Sequence, residues 1–178
     1  NDVDNYIDPT QGTTFSFLHK LSGGSFLGGS HHYMESSGEA VAYQSLNMFE
    51  SFKTYFKLRS FIGFLWKYEK HFIPETERYR LGGYDDLRGY PFWEVSPVEK
   101  RGRSPFMPYY DYHIGGDKKL FFQFEYFLPV IPEVGIKMLL FADIGRVFTE
   151  AESISFKEMK SDVGFGFRWL TPMAPLRF

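Results

Sequence analysis

Residues 161–170 place Val163, Phe165, Phe167 and Trp169 in alternation with Gly164, Gly166 and Arg168. A period of two belongs to a strand that shows one apolar face and one face of a different kind. The same period runs through most of the chain. Phe15 and Phe17 alternate with Thr14, Ser16 and Leu18 in residues 13–21, and Phe56, Leu58, Ile62, Phe64 and Trp66 oppose Lys57, Arg59 and Gly63 in residues 55–66. In residues 118–128, Leu120, Phe122, Phe124, Tyr126 and Leu128 oppose Gln123 and Glu125. In residues 135–147, Ile136, Met138, Leu140, Ala142 and Ile144 oppose Lys137, Asp143 and Gly145. Residues 32–46 read as a weaker strand, because both faces carry small or polar side chains.

A soluble antiparallel sandwich also alternates, but two features argue against it. The predicted strands are longer than the usual five or six residues of soluble sheets and suit a tilted bilayer crossing. The second face holds Lys57, Arg59, Glu125, Lys137, Asp143 and Arg168, charges that a dry core does not accept unpaired. A polar or wet lumen accepts them. In lipid every backbone group needs a partner, so such strands belong to a closed transmembrane β-barrel. The predicted fold class is therefore all-β, a transmembrane antiparallel barrel portion of six strands and the start of a seventh at 175–178. Two open edges make a piece of that size part of a larger barrel.

Composition fits this reading. Aromatic residues make up 20% of the 178 positions, yet mean hydropathy is only −0.30, as interleaving of apolar and polar residues requires. No apolar run approaches the roughly 20 residues of a membrane-spanning helix. The absence of cysteine excludes disulfides and thiolate metal sites, and a net charge of −2 without a basic stripe argues against nucleic acid. The chain begins at Asn1 without a signal peptide and reads as a processed or excised piece of a longer protein. One domain, 1–178, is expected.

The connections alternate in length. Residues 129–134 ("PVIPEV") and "TPMAP" read as tight turns, whereas about 68–117 form a very long connection rich in Gly, Pro and Tyr. Outer-membrane barrels have short periplasmic turns and longer external loops, and so long a loop is usually functional. Within it stands "RLGGYDDLRGYPF", residues 80–92, whose Arg88 poses the question of what it binds. His31 and His32 would point to opposite sides of a strand, so a metal site is not expected there, and His113 has no partner at ligand spacing. "VEKRGRS" (98–104) reads as a solvated loop run.

Four segments carry a resemblance to a known family. "LGGYDDLRGYPF" resembles the GG…VRGF segment of the BamA/TamA superfamily of outer-membrane insertases (bacterial surface antigen family), and "DVDNYIDPTQGTTFSF" its D-x-R-x-N-x-x-D-P-x-x-G strand opening. "LLFADIGRVF" resembles its FxDxGxVW strand, and "GFGFRWLTPMAPLRF" its GLGxRWxSPxGPLRF ending. The motifs occur in order and cover the chain nearly end to end. Leu87 and Tyr90 stand where the family has Val and Phe, and Ala174 where it has Gly. The resemblance implies the C-terminal half of a barrel of about sixteen strands, beginning near the ninth, with the last strand missing after "PLRF".

The resemblance also implies an occupant for Arg88. In this family the long loop folds back into the barrel and its arginine meets acids on the inner wall. Carried onto this sequence, the expected loop-to-wall brace comprises Arg88, Gly89 and Tyr90 with Gly82 and Gly83 on the loop, and Glu125 and Asp143 on the wall. The alternation had already put both acids on the polar face. Gly82, Gly83 and Gly89 are expected to let the backbone turn tightly, and Gly164 and Gly166 either to weaken their strand or to leave lumen space for the loop. A catalytic carboxylate pair at Glu125 and Asp143 would need a nucleophile or a companion histidine motif, which is not seen.

By resemblance, the expected function is part of an outer-membrane assembly factor that folds and inserts β-barrel proteins, with no enzyme activity, cofactor or metal. The alternative is a translocation pore of the same superfamily, a two-partner secretion transporter or patatin-fusion barrel. Implied partners are unfolded outer-membrane proteins, outer-membrane lipid or lipopolysaccharide, and accessory lipoproteins reached through upstream POTRA domains.

Overall fold

The computed structural model describes residues 2–24, 28–29, 31–49, 52–68, 72–102, 109–171 and 174–178. Among these, one curled antiparallel sheet has eight strands in the order β1-β2-β3-β4-β7-β8-β9-β10. They are β1 (Asp2–Val3), β2 (Gly12–Ser22), β3 (Tyr33–Phe49), β4 (Phe52–Lys67), β7 (Lys118–Ile131), β8 (Ile136–Phe148), β9 (Lys160–Leu170) and β10 (Pro175–Arg177). A separate hairpin, β5 (Val98–Arg101) with β6 (Tyr110–His113), lies within the long connection between β4 and β7.

The five central strands β3, β4, β7, β8 and β9 have 17, 16, 14, 13 and 11 residues. Each reaches or exceeds the roughly 9–11 that a tilted strand needs to cross a bilayer. The expected periodicity holds on the outer face. Phe15, Phe17, Leu58, Ile62, Trp66, Leu140, Val163, Phe165 and Trp169 all lie exposed there, as residues facing lipid would. Trp66 stands near the long-loop end of β4 and Trp169 near the short-turn end of β9, where amphipathic rings suit the two interfaces of a membrane.

Four expectations change. The sheet has eight strands rather than six and the start of a seventh, because the two residues of β1 pair with Gly12 and Thr13. The turn read at 129–134 starts later: β7 continues to Ile131 through an irregularity after Pro129, and Pro132–Val134 form a 3-10 turn closed by Gly135 at φ 75°. Residues 98–101 of the predicted solvated run form β5, while 103 and 104 lie outside the described residues. The inner face is also less polar than expected. Tyr55, Phe121, Phe127 and Leu139 point inward and are buried, so the inner face of β7 mixes buried rings with Lys119, Gln123 and Glu125 rather than being polar throughout.

The covering layer is the long loop itself. Leu81 and Leu87 of the loop are fully buried, packing with Val95 against Phe121 and Val147 of the wall. Two inward glycines mark where the loop lies. A Cβ at Gly63 would stand 2.6 Å from the Tyr79 ring, and one at Gly145 would stand 2.9 Å from Leu81 Cδ1. The wall is small where the loop is large.

At the opposite end, the turn joining β1 to β2 is tied by Asp4. Its Oδ1 accepts from the amides of Asn5, Thr10 and Gln11 (3.0, 2.9 and 3.1 Å), and its Oδ2 accepts from the Thr10 hydroxyl at 2.6 Å. The Thr10 hydroxyl, then the Gln11 and Thr10 amides, hold the Asp4 carboxyl down at about 2. A depressed carboxyl stabilises above its unfolded value near 4 and loses that contribution as pH falls through its folded value. Protection of the Thr10 and Gln11 amides from exchange, relative to unstructured amides at the same pH, is therefore expected to persist at mildly acidic pH and to be lost as pH falls through about 2. In Asp4→Ala that protection is expected to be lost throughout.

Candidate functional site

The inner wall is layered along β7, whose inward residues are Lys119, Phe121, Gln123, Glu125 and Phe127. Their partners on β8 are Val147, Gly145, Asp143 and Phe141 for the first four, and Leu139 for Phe127. Glu125 and Asp143 sit in the middle of this stack, with side chains 4% and 0% exposed. Into that layer comes the loop.

The loop tip folds on itself before it meets the wall. Gly83 N–H donates to the carbonyls of Leu87 and Tyr90 at 3.2 and 3.0 Å, which closes a compact turn around Asp85 and Asp86. Gly82 and Gly83 have φ of 110° and 108°, a region that L side chains rarely adopt, and a side chain at 82 would run into the Pro91 carbonyl. Gly89 has a different reason to be glycine: a Cβ there would stand 2.7 Å from Asp162 Cβ on β9. The close approach, not a left-handed backbone, requires it.

This folding aims Arg88 at both acids. Its Nε and Nη2 donate to Asp143 Oδ2 and Oδ1 at 2.7 and 2.6 Å, and its Nη1 donates to Glu125 Oε1 at 2.6 Å. The planar fork spends one edge on Asp143 and its third nitrogen on Glu125, a geometry that an ammonium cannot copy. The guanidinium also lies 3.8 Å from the centre of the Phe141 ring. The glycine opposite, Gly164, leaves room for that ring, since a Cβ there would stand 2.9 Å from Phe141 Cε1. Gly166 faces the backbone of Phe178. The space beside both glycines is thus taken by the wall and chain end rather than by the loop.

Residues outside the sequence-predicted set complete the clasp. Glu125 also accepts from Lys57 Nζ at 2.9 Å and Arg168 Nη2 at 2.9 Å, so one carboxylate holds three cations. Arg59 pairs with Glu39 and donates to the Asp85 carbonyl at 2.9 Å, and Gln123 Nε2 donates to the carbonyls of Asp85 and Asp86 at 3.1 and 2.6 Å. Lys119 Nζ meets the Asp86 carboxylate at 2.9 Å. Gly89 N–H donates to Asp162 at 3.0 Å, and Tyr90 packs against the apolar cluster of Leu81 and Leu87. Nearer the loop base, Tyr79 donates to Glu35 Oε1 at 2.7 Å, and burial, then this carboxylate, pushes its phenol well above the usual range. The signal for Lys57, Arg59, Gln123 and Arg168 was their place on the polar face; the Asp85 carbonyl had no such signal.

A second tie crosses the short-turn end. Asp8, in the turn between β1 and β2, forms an ion pair with Lys137 on β8 and accepts from Tyr55 Oη at 3.2 Å. This links the β1–β2 turn at one edge of the sheet to β8, four places beyond β2. The sheet is curled enough for its turn to reach across its own concavity.

A curled antiparallel sheet with an apolar exterior, whose longest loop is folded inward and ion-paired to the concave wall, defines a partial β-barrel with an internal loop. The Omp85 superfamily domain model matches residues 1–178, and the chain belongs to that superfamily. It is 29% identical over 177 residues, 99% of its length, to a protein of Nitratidesulfovibrio vulgaris named outer membrane protein assembly factor BamA. The chain spans about a fifth of the length of that relative (21%).

Proposed function

We propose that this chain is the C-terminal part of the barrel of a BamA-like assembly factor, which folds and inserts β-barrel proteins into the bacterial outer membrane. The observation that carries this reading is the likeness to an assembly factor along 99% of the chain, including the segment that carries Arg88. The strands lie in the bilayer, with the apolar face toward lipid and lipopolysaccharide. Clients are unfolded outer-membrane proteins, and accessory lipoproteins are reached through parts of the protein outside this sequence.

The task is mechanical and has no chemical step. Glu125 and Asp143 are saturated by Arg88, Lys57 and Arg168, so neither is placed to act as a free acid or base. The Arg88 loop braces the wall strands as a rigid scaffold against which the rest of the barrel moves. Depleting the full-length parent in its own cell tests the reading. A general loss of folded porins with periplasmic stress is the expected result. Normal porins with a single missing secreted product would overturn it in favour of a translocation pore.

A further inference from the structure

Three acids, not two, face the tip of the loop. Asp143 on β8 and Asp162 on β9 stand directly opposite each other in the ladder, and both point inward. Asp143 takes one edge of the Arg88 fork, and Glu125 holds three cations. Asp162 is different. Its Oδ2 accepts from the Gly89 amide at 3.0 Å, whereas its Oδ1 is buried without a hydrogen-bond partner. A carboxylate set beside another carboxylate gains nothing from that neighbour. Its place in the wall has to come from what it does for the loop.

What it does is hold backbone. An arginine side chain has several rotatable bonds and loses substantial rotamer freedom when fixed. Reaching two carboxylates on two strands at once requires its Cα to sit at one distance and one angle from the wall. The Gly89 amide is the next peptide along, so a hydrogen bond there fixes the direction in which Arg88 leaves the chain. The fit is steric as well as polar, because Gly89 lies so close to Asp162 that even a methyl group would collide with its Cβ.

We infer that Asp162 is a positioning residue of the brace: it grips the loop backbone at Gly89 on a third wall strand, so that the Arg88 fork reaches Asp143 and Glu125 together. This rests on the reading of Arg88 as a brace, and it acts through Arg88 rather than in its place. It assigns different demands to the two positions. Position 88 needs a planar cationic fork; position 162 needs a short side chain with an acceptor oxygen, and the negative charge itself is dispensable. Asparagine meets that demand, keeping the oxygen for Gly89 and offering an N–H to Asp143.

The test uses the full-length protein in its own outer membrane and external protease as the probe of the loop. Asp162→Leu is expected to be cleaved in the loop about tenfold faster than wild type, the effect of losing one hydrogen bond from the closed state. Asp162→Asn is expected to be protected like wild type. Gly89→Ala, which crowds the same contact from the loop side, is expected to match Asp162→Leu and stands in for it should that variant not fold. Arg88→Ala is measured in parallel as the control for the brace. If Arg88→Ala is cleaved rapidly but Asp162→Leu and Gly89→Ala stay protected, the brace stands and the positioning role falls. Cleavage of Asp162→Asn as fast as Asp162→Leu would also overturn the backbone grip, since charge would then be what matters. If Arg88→Ala itself stays protected, the brace reading fails and takes this inference with it.

Discussion

Arg88→Ala is expected to destabilise the folded barrel by about 3–5 kcal/mol, the range found when one partner of a buried ion pair is removed. The size follows from burial. The Arg88 side chain is 15% exposed, Asp143 0% and Glu125 4%, so solvent cannot take over the hydrogen bonds that the guanidinium leaves. Glu125 keeps Lys57 and Arg168, but Asp143 has no other cation within ion-pair distance among the described residues. The stranded charge is therefore Asp143, beside Asp162, and the loop opposite both loses its polar anchor. Arg88→Lys is expected to recover little, because an ammonium on a flexible stem presents no fork for two carboxylates on adjacent strands. The temperature at which the full-length protein loses its compact form on gels measures the stability, and folded porin levels measure the function. Both are expected to fall together in Arg88→Ala. Unchanged values in both would count against the brace.

Glu125→Leu is expected to be at least as damaging, near the upper end of about 3–5 kcal/mol, for the opposite electrostatic reason. Removing it leaves Lys57, Arg88 and Arg168 facing one another with Asp143 as the remaining acid in contact with that group. Glu125→Gln keeps two polar atoms but neutralises none of the three cations, so an intermediate loss is expected. Added salt should restore little of it, because buried charges are screened far less than exposed ones. The check is the same unfolding temperature at low and high salt. A Glu125→Leu protein as stable as wild type would show that the cations disperse into solvent, and that the layered lumen is not tightly held.

The fold was legible where outer-face residues were large. Phe165, Phe167 and Trp169 against Gly164, Gly166 and Arg168 left little choice of period or face. It was less legible along β3, where Gly38, Ala40 and Ala42 make the outward side as unassertive as the inward one, although pairing with β2 and β4 defines the strand through Phe49. The two residues of β1 and the four-residue strands of the loop hairpin are too short for any periodic signal. The apolar part of the inner face was hidden for a different reason. Phe121, Phe127 and Leu139 point inward because a loop and neighbouring rings cover them, and that cover is a tertiary fact that a strand pattern does not encode.

The candidate site divides in the same way. Glu125 and Asp143 were readable from alternation alone, since a charge recurring on one face of a strand must meet something in the interior. Arg88 came from the resemblance of its segment, and the pairing of the three from both together. Asp162 stood in the most regular strand of the chain and was not singled out, because its partner is a backbone amide and backbone leaves no trace in side-chain spacing. Asp8 was quoted within a motif, but its reach to Lys137 depends on the curl of the sheet. Gly63 and Gly145 were the overlooked clue: small inward residues on wall strands are the footprint of something large lying against them.

The most direct test of the central claim, that a buried guanidinium joins the loop to the wall, is a double-mutant cycle on the full-length protein with Arg88→Leu, Asp143→Leu and the pair together. A buried pair that interacts leaves an uncompensated charge in each single variant and none at that contact in the double. The double variant is therefore expected to be at least about 2 kcal/mol more stable than the sum of the two single losses predicts. Losses that add to within about 0.5 kcal/mol would mean that the two residues do not interact in the working protein, and the account of an internally braced barrel would be wrong.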